Sequence, residues 1–154
     1  MDLASQYRRI RSEVMKEITA VCDSQHYVLG KNVAALEQEL ASYCGAKYAV
    51  GVASGTDALI LALKAAGVGA GDKVITTAFT FFASAGAIAM AGARPVFVDI
   101  DPVTFNMDPA LLDSELKKAG KGVKAVMPVH LYGQCAEMGE INRLARKYRL
   151  KVIE

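Results

Sequence analysis

The sequence predicts an α/β fold: three layers built around a mainly parallel sheet. Two observations carry that reading. After Gly45, short apolar segments alternate with helix-patterned segments as far as the last residue. The short segments are continuous apolar runs, as in strands covered on both faces. The 154 residues are 53% hydrophobic and 22% charged, which excludes disorder and fits one ordinary domain rather than a two-domain enzyme. Thirteen Gly and four Pro exclude collagen-like and low-complexity chains.

Taken in order, the chain opens with Leu3, Tyr7, Ile10, Val14, Ile18 and Val21 at three- and four-residue spacing, an amphipathic helix. His26-Tyr27-Val28-Leu29-Gly30 breaks that period as a turn. Asn32 is then the expected cap of a second helix carrying Leu36, Leu40 and Tyr43 on one face, ending near Cys44-Gly45. Residues 1–45 form this helical segment. From 46 to 154 the α/β pattern runs without repeat or linker. Strands are expected at 48–52, 73–77, 95–99, 123–129 and 151–154. Helices are expected at 57–66, 82–91, from Asp108-Pro109 onward, and at 137–148. Asp108 suits the N-cap and Pro109 the first helical position. In the last helix Ile141, Leu144, Ala145 and Tyr148 point inward. The closing run 151–154 reads as a strand begun and cut, which leaves an unpaired edge and predicts poor solubility or association of the isolated chain.

Eighteen Lys+Arg against sixteen Asp+Glu give a net charge of +2, too small to imply nucleic acid as a partner. The basic groups Arg8-Arg9-Arg11 and Arg143, Arg146, Lys147, Arg149, Lys151 lie beside acidic residues in helix-patterned segments, so they read as solvated faces. Cys22, Cys44 and Cys135 are odd in number without a CxxC pair, and His26 and His130 are far apart. No metal site is expected. Reduced, partly buried thiols in a cytoplasmic protein are, and the polar, basic N-terminus does not resemble a signal peptide. Residues 74–93 carry no charge, yet their β-branched first part and small-residue second part suit a strand and helix better than a membrane span.

Ligands of such sheets bind outside the carboxyl ends of the strands. After the 48–52 strand comes Ala53-Ser54-Gly55-Thr56-Asp57: glycine for close approach, hydroxyls, and a helix N-terminus with free N–H groups. This is either an anion site, most naturally for phosphate, or a well-capped helix. It is neither GxGxxG nor a P-loop. After 73–77 comes Ala78-Phe79-Thr80-Phe81-Phe82, either core or an aromatic face for a flat cofactor ring. After 123–129 comes His130-Leu131-Tyr132-Gly133-Gln134, whose imidazole is either a structural hydrogen-bonder or a catalyst. The three loops together suit a flat, phosphorylated cofactor.

Gly51-Val52-Ala53-Ser54-Gly55-Thr56-Asp57-Ala58-Leu59, Thr77-Ala78-Phe79-Thr80-Phe81, Pro95-Val96-Phe97-Val98-Asp99-Ile100-Asp101 and Pro128-Val129-His130-Leu131-Tyr132-Gly133 stand in the order and spacing of the DegT/DnrJ/EryC1/StrS family. Tyr27-Val28-Leu29-Gly30 resembles its loop before the second helix. The resemblance covers essentially the whole chain. It implies the large domain of a type I aminotransferase dependent on pyridoxal 5'-phosphate, incomplete here, and a homodimer with sites near the subunit interface. It also implies amino transfer, commonly from glutamate, to a keto group of a nucleotide-linked sugar. By position, Gly55, Thr56 and Asp57 match the segment that holds the cofactor phosphate, and Phe81 matches the aromatic that stacks on the ring. His130 and Tyr132 fall in a motif near the site without an assigned role.

The resemblance further implies a carboxylate directly after the strand that ends Val152-Ile153-Glu154, and a Schiff-base lysine further on. The eleven lysines of the sequence do not match that lysine's position. The 154 residues are therefore expected to be the amino-terminal part of the domain and inactive alone. Two other readings stand beside this one: a dehydratase of the same family that lacks the lysine, and a non-catalytic α/β module binding a phosphorylated ligand.

Overall fold

The computed structural model describes residues 2–154, which form two compact units, one ending at Gly51 and the other running Val52–Glu154. In the first unit, α1 (Leu3–Ser24) starts at Asp2, whose carboxylate accepts the Ser5 N–H at 3.0 Å. It ends where Gln25 turns left-handed, its N–H bonding the Cys22 carbonyl. The second helix, α2 (Lys31–Tyr43), departs from the expected start. Asn32 lies inside the helix, and the N-cap is Gly30, which makes no side-chain bond. A side chain there would meet the His26 carbonyl oxygen at 3.0 Å, so close approach of backbone to backbone selects glycine.

The expected strand 48–52 does not form. A strand needs a ladder partner, and the sheet that assembles has none for it. Gly51 is held by the Glu37 carboxylate at 2.7 Å instead, and Tyr48 and Val50 stay exposed.

The second unit is the α/β body. Its elements are α3 (Gly55–Ala65), β1 (Lys73–Thr77), α4 (Ala83–Met90), β2 (Arg94–Val98), α5 (Pro109–Ala119), β3 (Val123–Val126), a 3-10 turn (Leu131–Gly133), α6 (Met138–Tyr148) and β4 (Lys151–Val152). All neighbouring strands are parallel, in the order β2-β1-β3-β4. As expected, Asp108 caps α5, its carboxylate accepting the Ala110 and Leu111 N–H groups, with Pro109 first in the helix. The last two strands are shorter than expected, although single hydrogen bonds continue past them: Met127 donates to Ile75 and Ile153 to Val126.

Adjacent strand residues face opposite sides, and the core divides accordingly. Val74, Ala125 and Met127 pack with Leu63 of α3 and Ala87 and Ile88 of α4. Ile75 and Val126 pack with Leu112 and Leu116 of α5 and with Ile141, Leu144 and Ala145 of α6. Helices thus cover both faces, giving the three layers read from the sequence. Among the described residues no helix is long and apolar enough to cross a membrane. The cysteines differ from expectation: all three thiols are exposed and unpaired.

On the outer face, α5 and α6 are tied by Asp113. Its carboxylate takes Lys117 at 2.6 Å, Lys147 at 3.2 Å and the Tyr148 hydroxyl at 3.1 Å. These donors, Lys117 foremost, lower its pKa from 3.8 to about 2. A carboxyl whose folded pKa lies below its unfolded value contributes stability above the latter and loses it as pH falls through the former. The tie is therefore expected to hold at neutral pH and to fail between pH 3.8 and about 2. Following the α5 and α6 amides during acid titration checks this: Asp113→Asn should remove that step, and an unchanged acid limb would contradict the assignment.

Candidate active site

The connections place a crevice. From β1 the chain runs through α4 to β2 on one side; from β3 it runs through α6 to β4 on the other. Because β1 and β3 are neighbours, their outgoing loops diverge, and a crevice opens at their carboxyl ends. Beneath it the buried Thr76 hydroxyl donates to the Met127 carbonyl at 2.9 Å, fastening the two strands. A cleft of about 390 Å³ lies at this point, lined by Ala78, Phe79, Thr80, Phe81, Leu131 and Tyr132.

The phenylalanines are not core. Phe79, Phe81 and Phe82 are 48%, 78% and 80% exposed, so within these residues the loop presents an aromatic face. Thr80 and Ser84 hydroxyls meet at 3.2 Å across the first turn of α4. The Phe82 ring lies where a Cβ on Gly86 would stand, 2.9 Å from its nearest carbon. Glycine at 86 thus makes room for that ring.

Helix α3 precedes β1 and runs antiparallel to it, so its N-terminus lies at the same carboxyl edge. Ser54 and Asp57 form a reciprocal cap: the Asp57 N–H donates to Ser54 Oγ at 3.1 Å, and the Ser54 hydroxyl donates to the Asp57 carboxylate at 2.7 Å. The Asp57 N–H is therefore engaged. The first-turn donors without an intrahelical acceptor are the N–H groups of Gly55 and Thr56, beside the Thr56 hydroxyl. A Cβ built on Gly55 meets nothing within 4 Å, so the turn faces open space.

His130 does not line the cleft. Its Nδ1 accepts the Ala136 N–H at 3.0 Å, and Nε2 lies 3.0 Å from a Glu154 carboxylate oxygen. An amide can only donate, so the ring proton sits on Nε2 and points at Glu154. Both ring nitrogens are occupied within the protein, which makes His130 a hydrogen-bonder in this geometry. Tyr132 does line the cleft, 87% exposed, on a left-handed backbone at φ 55°. The structure thus brings Phe81 and Tyr132 to one cleft and sets Gly55, Thr56 and Asp57 on a helix end along the same edge.

Sequence reasoning missed Asn106, which is buried and bonds the loop that carries Tyr132. A lone amide between Phe105 and Met107 was the available signal. It also missed Phe105, whose ring lies 5.9 Å from that of Phe79. The N–H groups of Thr104 and Val103 hold the Asp101 carboxyl below the usual range, fixing the turn that presents both residues. Among the described residues no cluster of three or more potential metal ligands occurs.

Residues 8–154 match the DegT/DnrJ/EryC1/StrS aminotransferase family. The chain belongs to that family. Two relatives and one solved structure show how its members are described. The chain is 51% identical over its whole length to a "Pleiotropic regulatory protein" of Geobacillus stearothermophilus, covering 41% of it. It is 47% identical, again over its whole length, to a UDP-2-acetamido-2-deoxy-3-oxo-D-glucuronate aminotransferase of Pseudomonas aeruginosa, covering 42% of it. The crystal structure of NtdA from Bacillus subtilis, with bound cofactor PMP, superposes with a TM-score of 0.88 at 34% identity, over 93% of this chain and 32% of that one. The chain therefore spans only 41% to 42% of the length of these two DegT/DnrJ/EryC1/StrS relatives.

Proposed function

We propose that the protein carrying this chain transfers an amino group from an amino acid, glutamate by the resemblance, to the keto group of a nucleotide-linked sugar. Pyridoxal phosphate is the cofactor and binds at the carboxyl edge described above. The observation that carries the proposal is the convergence of an exposed aromatic wall and an open helix N-terminus on one edge of a DegT/DnrJ/EryC1/StrS sheet.

The residues fit the group. The Gly55 and Thr56 N–H groups and the Thr56 hydroxyl offer donors to a phosphate at the positive end of α3. The Asp57 carboxylate, which would repel an anion, is turned onto the Ser54 hydroxyl. Phe81 presents a solvent-facing ring to a flat heteroaromatic. When bound, the cofactor supplies an electron sink for the carbon that bears the transferred amine. The chain's own part is to hold the phosphate, stack the ring and shape the cleft wall with Tyr132.

None of the eleven lysines is the Schiff-base lysine in this proposal. Their positions in the second unit support it. Lys64, Lys117, Lys118 and Lys147 stand in the last turns of helices, and Lys73, Lys124 and Lys151 at the first or second residue of strands. Lys121 lies in the turn before β3. Helix ends and strand starts meet at the amino edge, away from the cleft. Lys73 is further committed there, donating to the Ala119 carbonyl at 2.8 Å. Borohydride trapping of the full-length protein, followed by peptide mapping, is expected to mark a lysine outside these eleven. A stoichiometric label on any of them would overturn the assignment.

The homodimer and a cytoplasmic location belong to the same proposal. The apolar stripe that α1 leaves exposed at Leu3, Tyr7, Ile10 and Ile18 is surface available for association. Three unpaired thiols suit a reducing compartment.

The deciding assay supplies the full-length protein with glutamate, pyridoxal phosphate and a UDP-linked 3-keto sugar. An amino sugar and 2-oxoglutarate are expected. Loss of a sugar hydroxyl without amine transfer would establish the dehydratase, and ligand binding without turnover the non-catalytic module.

A further inference from the structure

One buried side chain is hydrogen-bonded to the loop that forms a wall of the cleft. Asn106 is 4% exposed. Its Nδ2 donates to the carbonyls of Gln134 at 3.1 Å and Cys135 at 3.4 Å, and its Oδ1 accepts the Leu131 N–H at 3.0 Å. A single planar amide thus satisfies main-chain groups at both ends of the 131–135 segment. Only Asn or Gln carries donor and acceptor in that plane, and the longer Gln would carry its amide one methylene past these three partners.

The segment between those bonds carries backbone strain. Tyr132 and Gly133 are consecutive left-handed residues, at φ 55° and 84°. For glycine that conformation is free; for tyrosine it is strained by the approach of Cβ to the following carbonyl. Something must hold Tyr132 there, and the Asn106 amide spans the strained pair. His130 closes the loop from its other end by accepting the Ala136 N–H.

Asn106 is itself delivered by a rigid turn. Asp101 accepts the N–H groups of Val103 and Thr104 with its carboxylate, its carbonyl takes the Phe105 N–H, and its own N–H bonds the Asn106 carbonyl. The same turn sends the Phe105 ring against Phe79 on the opposite wall. One connection after β2 therefore braces both sides of a cleft it does not line.

We propose that Asn106 is a positioning residue for the reaction at this edge: its amide clasps the 131–135 segment and so fixes the Tyr132 wall of the cleft. The proposal rests on the aminotransferase reading of the site. It acts through Tyr132 and not by contact with substrate or cofactor.

The test compares the full-length protein with its Asn106→Ala and Asn106→Asp variants. Asp keeps the acceptor for Leu131 and sets an oxygen against two carbonyl oxygens, so it breaks the clasp with little change of volume. If Asn106→Ala fails to fold, Asn106→Asp carries the test. Amide exchange should quicken about tenfold, the worth of one intramolecular hydrogen bond, at Leu131 in Asn106→Ala and at Ala136 in both variants as the loop loosens. Turnover should fall by about a hundredfold, as misplacement of a site wall by an ångström does. Affinity for pyridoxal phosphate should not change, because the Gly55–Thr56 turn and Phe81 lie outside the clasp. In Asn106→Asp, the turnover deficit relative to wild type should shrink as pH falls, since a protonated carboxyl regains one donor. Wild-type exchange at both amides in the variants would overturn the proposal, as would quickened exchange with unchanged turnover. If the unaltered protein transfers no amine, the functional reading falls, while the exchange data still decide whether Asn106 holds the loop.

Discussion

Thr56→Val in the full-length protein should weaken pyridoxal phosphate binding about ten- to a hundredfold, the loss of one hydrogen bond to a charged group. The replacement matches threonine in shape and removes only the hydroxyl. It leaves the cap intact, because the cap belongs to Ser54 and Asp57. Thermal stability should therefore not change. Ser54→Ala is the complementary variant. It loses the cap, at about 1 kcal/mol of stability, while the Gly55 and Thr56 donors remain. Spectroscopic titration of the cofactor, read beside the melting temperature, separates the two functions that this turn could serve. Equal affinity in Thr56→Val and wild type would mean that the turn only begins a helix.

The largest effect on stability is expected at Leu63. This residue of α3 is fully buried against Val74, Ile88 and Met127. Leu63→Ala should lower the opening free energy of β1 by about 2–5 kcal/mol, from lost transfer energy and the cavity left behind. That is a large share of what holds an ordinary domain folded. Amide exchange at Val74 and Ile75 reads it directly. Leu61, two residues earlier on the same helix, is 52% exposed, and Leu61→Ala should stay within about 0.5 kcal/mol. Equal losses at the two positions would show that α3 does not pack as described. Since α3 also carries the turn proposed to hold the phosphate, Leu63→Ala should weaken cofactor binding wherever the helix frays.

Local pattern made much of this architecture legible. The inward face of α6 was read from spacing alone, and Ile141, Leu144 and Ala145 are its buried residues. The Asp108-Pro109 start of α5 followed from cap chemistry. The DegT/DnrJ/EryC1/StrS resemblance likewise rested on short runs at fixed spacing, and the family match covers residues 8–154. Pairing over long separations was not legible. The run 48–52 has the composition of a strand, but composition does not state whether a neighbour exists. The crevice between β1 and β3 depends on a sheet order that brings residues 73–77 beside 123–126 and sends the chain away on opposite sides. His130 and Glu154 are 24 positions apart, and Asn106 reaches 28 positions to Gln134. A titratable or amide side chain announces its chemistry in the sequence, but its partner is chosen by the fold. At His130 the sequence offers an imidazole, and only the fold supplies its partners, the Ala136 N–H and the Glu154 carboxylate.

The confinement of lysine to one edge of the second unit has a practical side. Amine-reactive esters, biotin reagents and activated surfaces seek the same ε-amino groups. On this unit they would all attach at the edge where strands begin, with Lys64, Lys121 and Lys151 among the handles. Attachment through these lysines would leave Phe81, Tyr132 and the Gly55–Thr56 turn facing the solution, whereas coupling through Lys16, Lys31 or Lys47 of the first unit carries no such orientation.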